Sequence, residues 1–204
     1  MNERGETASP AAGGLKKIQE VSPRDVRARV KLSDEALDLI QNATDTPSCL
    51  TCLMDAKRYA DAVRFLAGAL PRREAVWWAC TAARIGLPAE AKPALVAAID
   101  AAEAWVFRPS DETRRLAKDK AEAATLDNPA GWSAMAAFWS GGSISDAGGP
   151  AIEPDVTLLP LAVSGAVLFA AVQHDPARAE EQYQVLLTAG IDIAGGGTGR
   201  RKAS

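Results

Sequence analysis

Apolar and polar positions along this chain recur at helical spacing, and prolines and capping residues cut the pattern into segments. From Tyr59 the apolar positions are Tyr59, Ala60, Val63, Leu66, Ala67 and Leu70, one side of a helix. Ser22-Pro23 sets an N-cap ahead of a proline at the first helical position and predicts a short helix over VSPRDVRARV. Ser33-Asp34-Glu35 opens a second, with Ala36, Leu37, Leu39 and Ile40 on its apolar side. Thr46-Pro47 opens a third, which contains Cys49 and Cys52. Pro71 ends the helix that starts at Tyr59 and can begin the next, which carries Trp77-Trp78.

The second half reads the same way. PAEAKPALVAAIDAAEAWVF, after Leu87, is an alanine-rich helix with Pro93 in its first turns or marking a break. Its inner side holds Leu95, Ala98, Ile99, Ala102 and Trp105 or Val106. Ser110 caps the charged DETRRLAKDKAEAATL, in which Asp111 and Arg115 can pair one turn apart. Asn128-Pro129 starts PAGWSAMAAFW. The Gly/Pro-rich loop from Gly141 to Asp155 follows, then the very apolar VTLLPLAVSGAVLFAAV, then ARAEEQYQVLLTAG behind Asp175-Pro176. No strand pair with turn chemistry is present, and short connections favour antiparallel neighbours.

The expectation is an all-α fold: an irregular bundle of about eight to ten helices with helical-hairpin, repeat-like stacking but no fixed repeat period. Residues 1–20, which mix Gly, Ala, Pro, Ser and charges without a period, read as a disordered lead. Residues 21–192 form one helical domain, and 193–204 a flexible tail.

Composition narrows the function classes. The net charge of -3 lacks the basic stripe that nucleic-acid binding needs; Arg72-Arg73 and Arg200-Arg201-Lys202 are too short to supply one. MNERGETASPAAGGLKK has no apolar signal segment, so the expected location is the cytoplasm, with the three cysteines reduced.

Each chemical candidate has a plain structural reading beside it. From Ala75 to Ala83 only Thr81 is polar, so the tryptophan pair reads as core, an exposed aromatic anchor being the alternative. Cys49-Leu50-Thr51-Cys52 has CxxC spacing, but Cys80 lies on the apolar helix and His174 far along the chain. The cysteines therefore read as core, with a metal or redox site as the alternative. His174 suits a helix C-terminus and has no nucleophile near it in sequence. The run Val156–Val172 is close to the ~17 residues of the shortest membrane span, yet it holds Pro160, Ser164 and Gly165 and reads as the innermost helix. Acids and bases between Asp111 and Glu122 read as a solvated face. The loop from Gly141 has no phosphate-binding pattern and is long enough to be a partner contact. No metal, cofactor, catalytic group or membrane span is expected.

Three segments together carry a resemblance: REAVWWAC at 73–80, FWSGGSISDAGG at 138–149 and AVSGAVLFAA at 162–171. Over about residues 45–190 the chain resembles an uncharacterised bacterial all-helical domain-of-unknown-function family associated with type VI secretion gene clusters. In such clusters these genes are placed like those of adaptors and chaperones near spike and effector genes. The resemblance implies a non-enzymatic adaptor or chaperone that binds a spike or effector protein. A helical-repeat interaction scaffold unrelated to secretion is the alternative. The contact residues expected are Trp132, Trp139, Gly141, Gly142, Ser143 and Ile144, at the mouth of the Gly-rich loop.

Overall fold

The computed structural model describes residues 14–145 and 149–200. Ten α-helices and one 3₁₀ turn make up the regular structure of these residues, with no strand among them. In chain order they are α1 (Pro23–Arg29), α2 (Asp34–Ile40), α3 (Thr46–Asp55), α4 (Tyr59–Ala69), α5 (Arg72–Ile85), α6 (Pro93–Phe107), α7 (Asp111–Ala124), α8 (Pro129–Phe138), α9 (Leu158–Val172) and α10 (Ala179–Gly195), the 3₁₀ turn Pro176–Arg178 preceding α10.

Local chemistry sets most helix starts. Ser22, Ser33, Ser110 and Asn128 each accept a hydrogen bond from a backbone N–H of the first turn. At α3 the cap is Asp45, whose carboxylate takes the Ser48 N–H at 2.8 Å. Thr46 is already helical there, and its hydroxyl donates to the Val21 carbonyl. Pro93 marks a break: residues 88–92 stay outside the helix, because a proline cannot donate into a preceding turn. α10 runs on to Gly195, further than the apolar pattern alone suggested. Its end is a Schellman turn, with Gly197 N–H on Asp192 O and Gly196 N–H on Ile193 O.

The core is shared by α4, α5, α8, α9 and α10. Sequence neighbours pack as hairpins from α5 through α9, but α5 also packs on α8 and α9, and α4 on α9 and α10. Those long-range pairings make the molecule a bundle and not an open array. Trp78 lies at the centre, fully buried, and donates its indole N–H to Leu186 O at 2.9 Å. α10 approaches that ring across Gly190, where a Cβ would stand 2.6 Å from Trp78 Cε2. A buried Asp61 on α4 accepts the Ser33 N–H (3.1 Å) and hydroxyl (2.8 Å), tying the start of α2 to α4.

The chain outside 21–192 also packs. Leu15 and Ile18 are buried, and Lys17 N–H bonds to Ala194 O at 3.0 Å. Residues 198–200 fold back onto Trp77. The rest of the expected lead and tail, 1–13 and 201–204, lies outside the described residues.

Among the described residues no single helix is long and apolar enough to cross a membrane. Only α9 taken with Pro176–Gly195, bent by 110°, reaches that length and composition. One side of α9 is buried, through Ala162, Val163, Ala166 and Val167, while Leu161, Phe169 and Val172 look outward.

Candidate functional site

The Gly-rich loop leaves α8 at Trp139 and is fastened from α7. Arg114, almost wholly buried, donates to Phe138 O (3.0 Å) and Ser143 O (2.8 Å) and to the Asp111 carboxylate, with its guanidinium 4.9 Å from the Phe138 ring centre. Arg115 donates to Asp111 (2.8 Å) and to Ser145 O (3.1 Å). Hydrogen bonds from Arg115 and then Arg114 hold the Asp111 carboxyl below its ordinary range. Charges that read as a plain solvated face in the sequence thus latch the loop. Its neck is closed by Ile144 N–H on Ile152 O at 2.8 Å, and residues 146–148 lie outside the described residues.

The expected contact residues divide. Trp139, Gly141 and Gly142 border a cleft of about 290 Å³. Trp132 stands edge-to-face with Trp139, centroids 6.5 Å apart, and its ring lies against Gly165 of α9. Its indole N–H is buried without a partner among the described residues. Ser143 gives its carbonyl to Arg114, and Ile144 packs on the core.

What completes the cleft comes from elsewhere in the chain. Arg29 from α1, Arg72 from the start of α5 and Val156 from the loop's end line it. Arg72 makes no hydrogen bond or ion pair among the described residues and lies against Gly141. A second cleft of about 460 Å³ adjoins this one, sharing Arg29 and Pro160. Lys31, Arg64 and Leu161 line it. Val156 is 65% exposed and Leu161 53%. Two exposed apolar side chains, Val156 and Leu161, thus stand among Arg29, Lys31, Arg72 and Arg64, the last paired with Asp61, with Glu153 and Asp155 on one edge. Such a face offers apolar anchorage and charge attraction to a partner segment.

The remaining sequence candidates are elsewhere. Trp78 is core, whereas Trp77 is half-buried and lines a groove between α5 and α10. Cys49 and Cys80 are buried, and desolvation pushes the Cys49 thiol up to about 11 and Cys80 higher still. Cys52 is half-buried, and the three cysteines are free thiols. Among the described residues no group of three or more His, Cys, Asp or Glu could hold a metal ion. His174 follows α9, but its Nε2 lies 2.9 Å from the carbonyl of Gly86 at the C-terminus of α5, joined there by Gln173. It serves a neighbouring helix end.

No curated protein and no solved structure matches the chain. The model of one family, described as a family of unknown function (DUF6931), matches residues 49–194, from the buried Cys49 of α3 to the last turn of α10, and the chain belongs to that family.

Proposed function

We propose that this protein is a non-enzymatic accessory protein, an adaptor or chaperone of a bacterial type VI secretion system, that holds a spike or effector protein on the face formed by α1, the start of α9 and the Gly-rich loop. The observation that carries the binding role is the exposed pair Val156 and Leu161 set among Arg29, Lys31, Arg64 and Arg72. A surface that leaves large apolar side chains beside cations in adjoining clefts suits a partner segment with apolar and acidic side chains. The secretion setting rests on the resemblance of 73–80, 138–149 and 162–171. The proposed setting is cytoplasmic and needs no cofactor.

A second reading, a helical interaction scaffold unrelated to secretion, is favoured by the open groove between α5 and α10, about 1130 Å³ and lined by Trp77, Thr81, the exposed Ile85 and Thr188. One experiment separates the two. Tagged wild-type, Leu161→Asp and Ile85→Asp chains are used for capture from the source bacterium, with quantification by mass spectrometry. The adaptor reading expects a spike or effector protein with the wild type, reduced at least tenfold by Leu161→Asp and unchanged by Ile85→Asp. Loss with Ile85→Asp alone, together with partners foreign to secretion, would establish the scaffold reading instead. Recovery of nothing above background would sink both.

A further inference from the structure

One side of the groove between α5 and α10 is already filled by the chain's own bent segment Gly197-Thr198-Gly199-Arg200. Beyond the Schellman turn the backbone lies along Trp77. Thr198 O accepts the Trp77 indole N–H at 2.8 Å. Gly199 N–H donates to Asp192 Oδ2 at 2.8 Å. The Arg200 guanidinium carbon stands 5.0 Å from the Trp77 ring centre, within cation–π range. Phe107, 67% exposed, braces the same ring edge-to-face at 5.7 Å.

These contacts amount to a recognition pattern. A carbonyl is read by an indole, the next amide by a carboxylate, and a cation one residue further by an aromatic face. The middle residue must be glycine: its φ is +70°, and a Cβ there would stand 2.7 Å from Ile193. Gly197 lies as tightly against the Asp192 carboxylate. Glu103, Glu181 and Asp192 line the groove, and the wall itself supplies one cation, Arg84, which is bound to Glu103 and Asp100. About 1130 Å³ stays open with the tail in place, so the groove continues past the residues that occupy it.

We propose that this groove is a docking site for a bent, basic partner segment of the pattern Gly-X-Gly-Arg, and that Thr198–Arg200, beyond the Schellman cap, is a resident occupant that such a segment displaces. The site is separate from the face on α1 and α9, and it stands whether or not the protein serves secretion. Because the tail continues directly from the end of α10, it competes intramolecularly with any incoming segment. An incoming segment therefore binds the wild-type chain more weakly than a chain whose tail is released.

The test uses the full chain with Gly199→Pro, which removes the N–H given to Asp192 and forbids the positive φ. The probe is a fluorescein-labelled peptide copying residues 197–204. The Gly199→Pro chain should bind it at least ten times more tightly than wild type. Peptides with proline at the third position, or glutamine in place of the first arginine, should bind that chain at least ten times more weakly. Trp77→Ala added to Gly199→Pro should abolish binding. A quencher-labelled copy of the peptide, added in excess to the wild-type chain, should lower tryptophan emission, and Trp77→Phe should remove that effect. That readout does not depend on how the proline variant folds. Equal affinity of the two chains, equal affinity of the altered peptides, absence of quenching, or sedimentation of the wild type as a tail-exchanged dimer would each overturn the proposal.

Discussion

Single residues carry unequal weight here, and the difference between Trp77 and Trp78 shows why. Adjacent positions on a helix point about 100° apart, so one ring enters the core while its neighbour reaches the surface. Trp78→Ala removes a fully buried ring and leaves Leu186 O without its donor. It should lower the unfolding free energy by about 3–5 kcal/mol, read as a fall in the urea midpoint. Gly190→Ala presses a methyl group against the Trp78 ring and Leu66, and should cost about 1–3 kcal/mol in the same assay. Arg114→Ala strips the Phe138 and Ser143 carbonyls of a buried donor and should cost about 2–3 kcal/mol. It should also make the loop an early cleavage site in limited proteolysis. Cys49 belongs to the same scale. Its thiol is held protonated, so native protein at pH 8 should be slow to react there with a thiol reagent. Because its folded value lies above the ordinary 9.0, the thiol's contribution to stability is complete below pH 9 and is lost as the pH rises toward about 11. Urea midpoints taken across that range should fall, and Cys49→Ala should remove part of the fall.

Elements are delimited by caps and broken by prolines, and both kinds of signal are local. Ser110 and Thr113 form a reciprocal box at the start of α7, the helix from which Arg114 and Arg115 hold the loop. Ser110→Ala should therefore cost about 1 kcal/mol by thermal unfolding and loosen the loop along with its own helix. α9 shows what local pattern leaves out. Its sequence is apolar nearly all round, yet Leu161 and Phe169 face outward while Ala162 and Ala166 are buried. Composition assigned it to the interior; neighbouring helices chose which side was covered.

At the scale of the whole molecule, several carboxyls at the starts of helices share one direction of shift. Asp45 at α3, Asp111 at α7, Asp127 beside the cap of α8 and Asp155 ahead of α9 are all held below the ordinary 3.8. Their causes are hydrogen bonds from Ser48, Arg115, Thr125 and Thr157 in turn. A carboxyl lowered by folding stabilises the fold fully above its unfolded value and loses that contribution as the pH falls past it. The thermal midpoint should hold between pH 7 and 5 and drop below about pH 4. Asp111→Asn should flatten the part of the drop that belongs to the loop latch.

The chain's periodicity, caps and prolines were enough to determine an all-helical bundle and most of its breaks, because these depend on residues within a turn or two of each other; the break at Pro93, the end of α10 and the outward turn of Trp77 were not fixed by them. The candidate site was legible only in part. The loop and Trp139 stand out as Gly-rich and aromatic positions, but Arg29, Arg72 and Leu161 come from α1, α5 and α9 and carry no mark in the sequence that sends them to one face. The groove holding the tail was equally hidden, since Gly197–Arg200 reads as flexible until α10 delivers it to Trp77. Helix formation is a local matter settled by backbone geometry and capping. Which surfaces meet is settled by packing between segments far apart in the chain, and that only the folded structure decides.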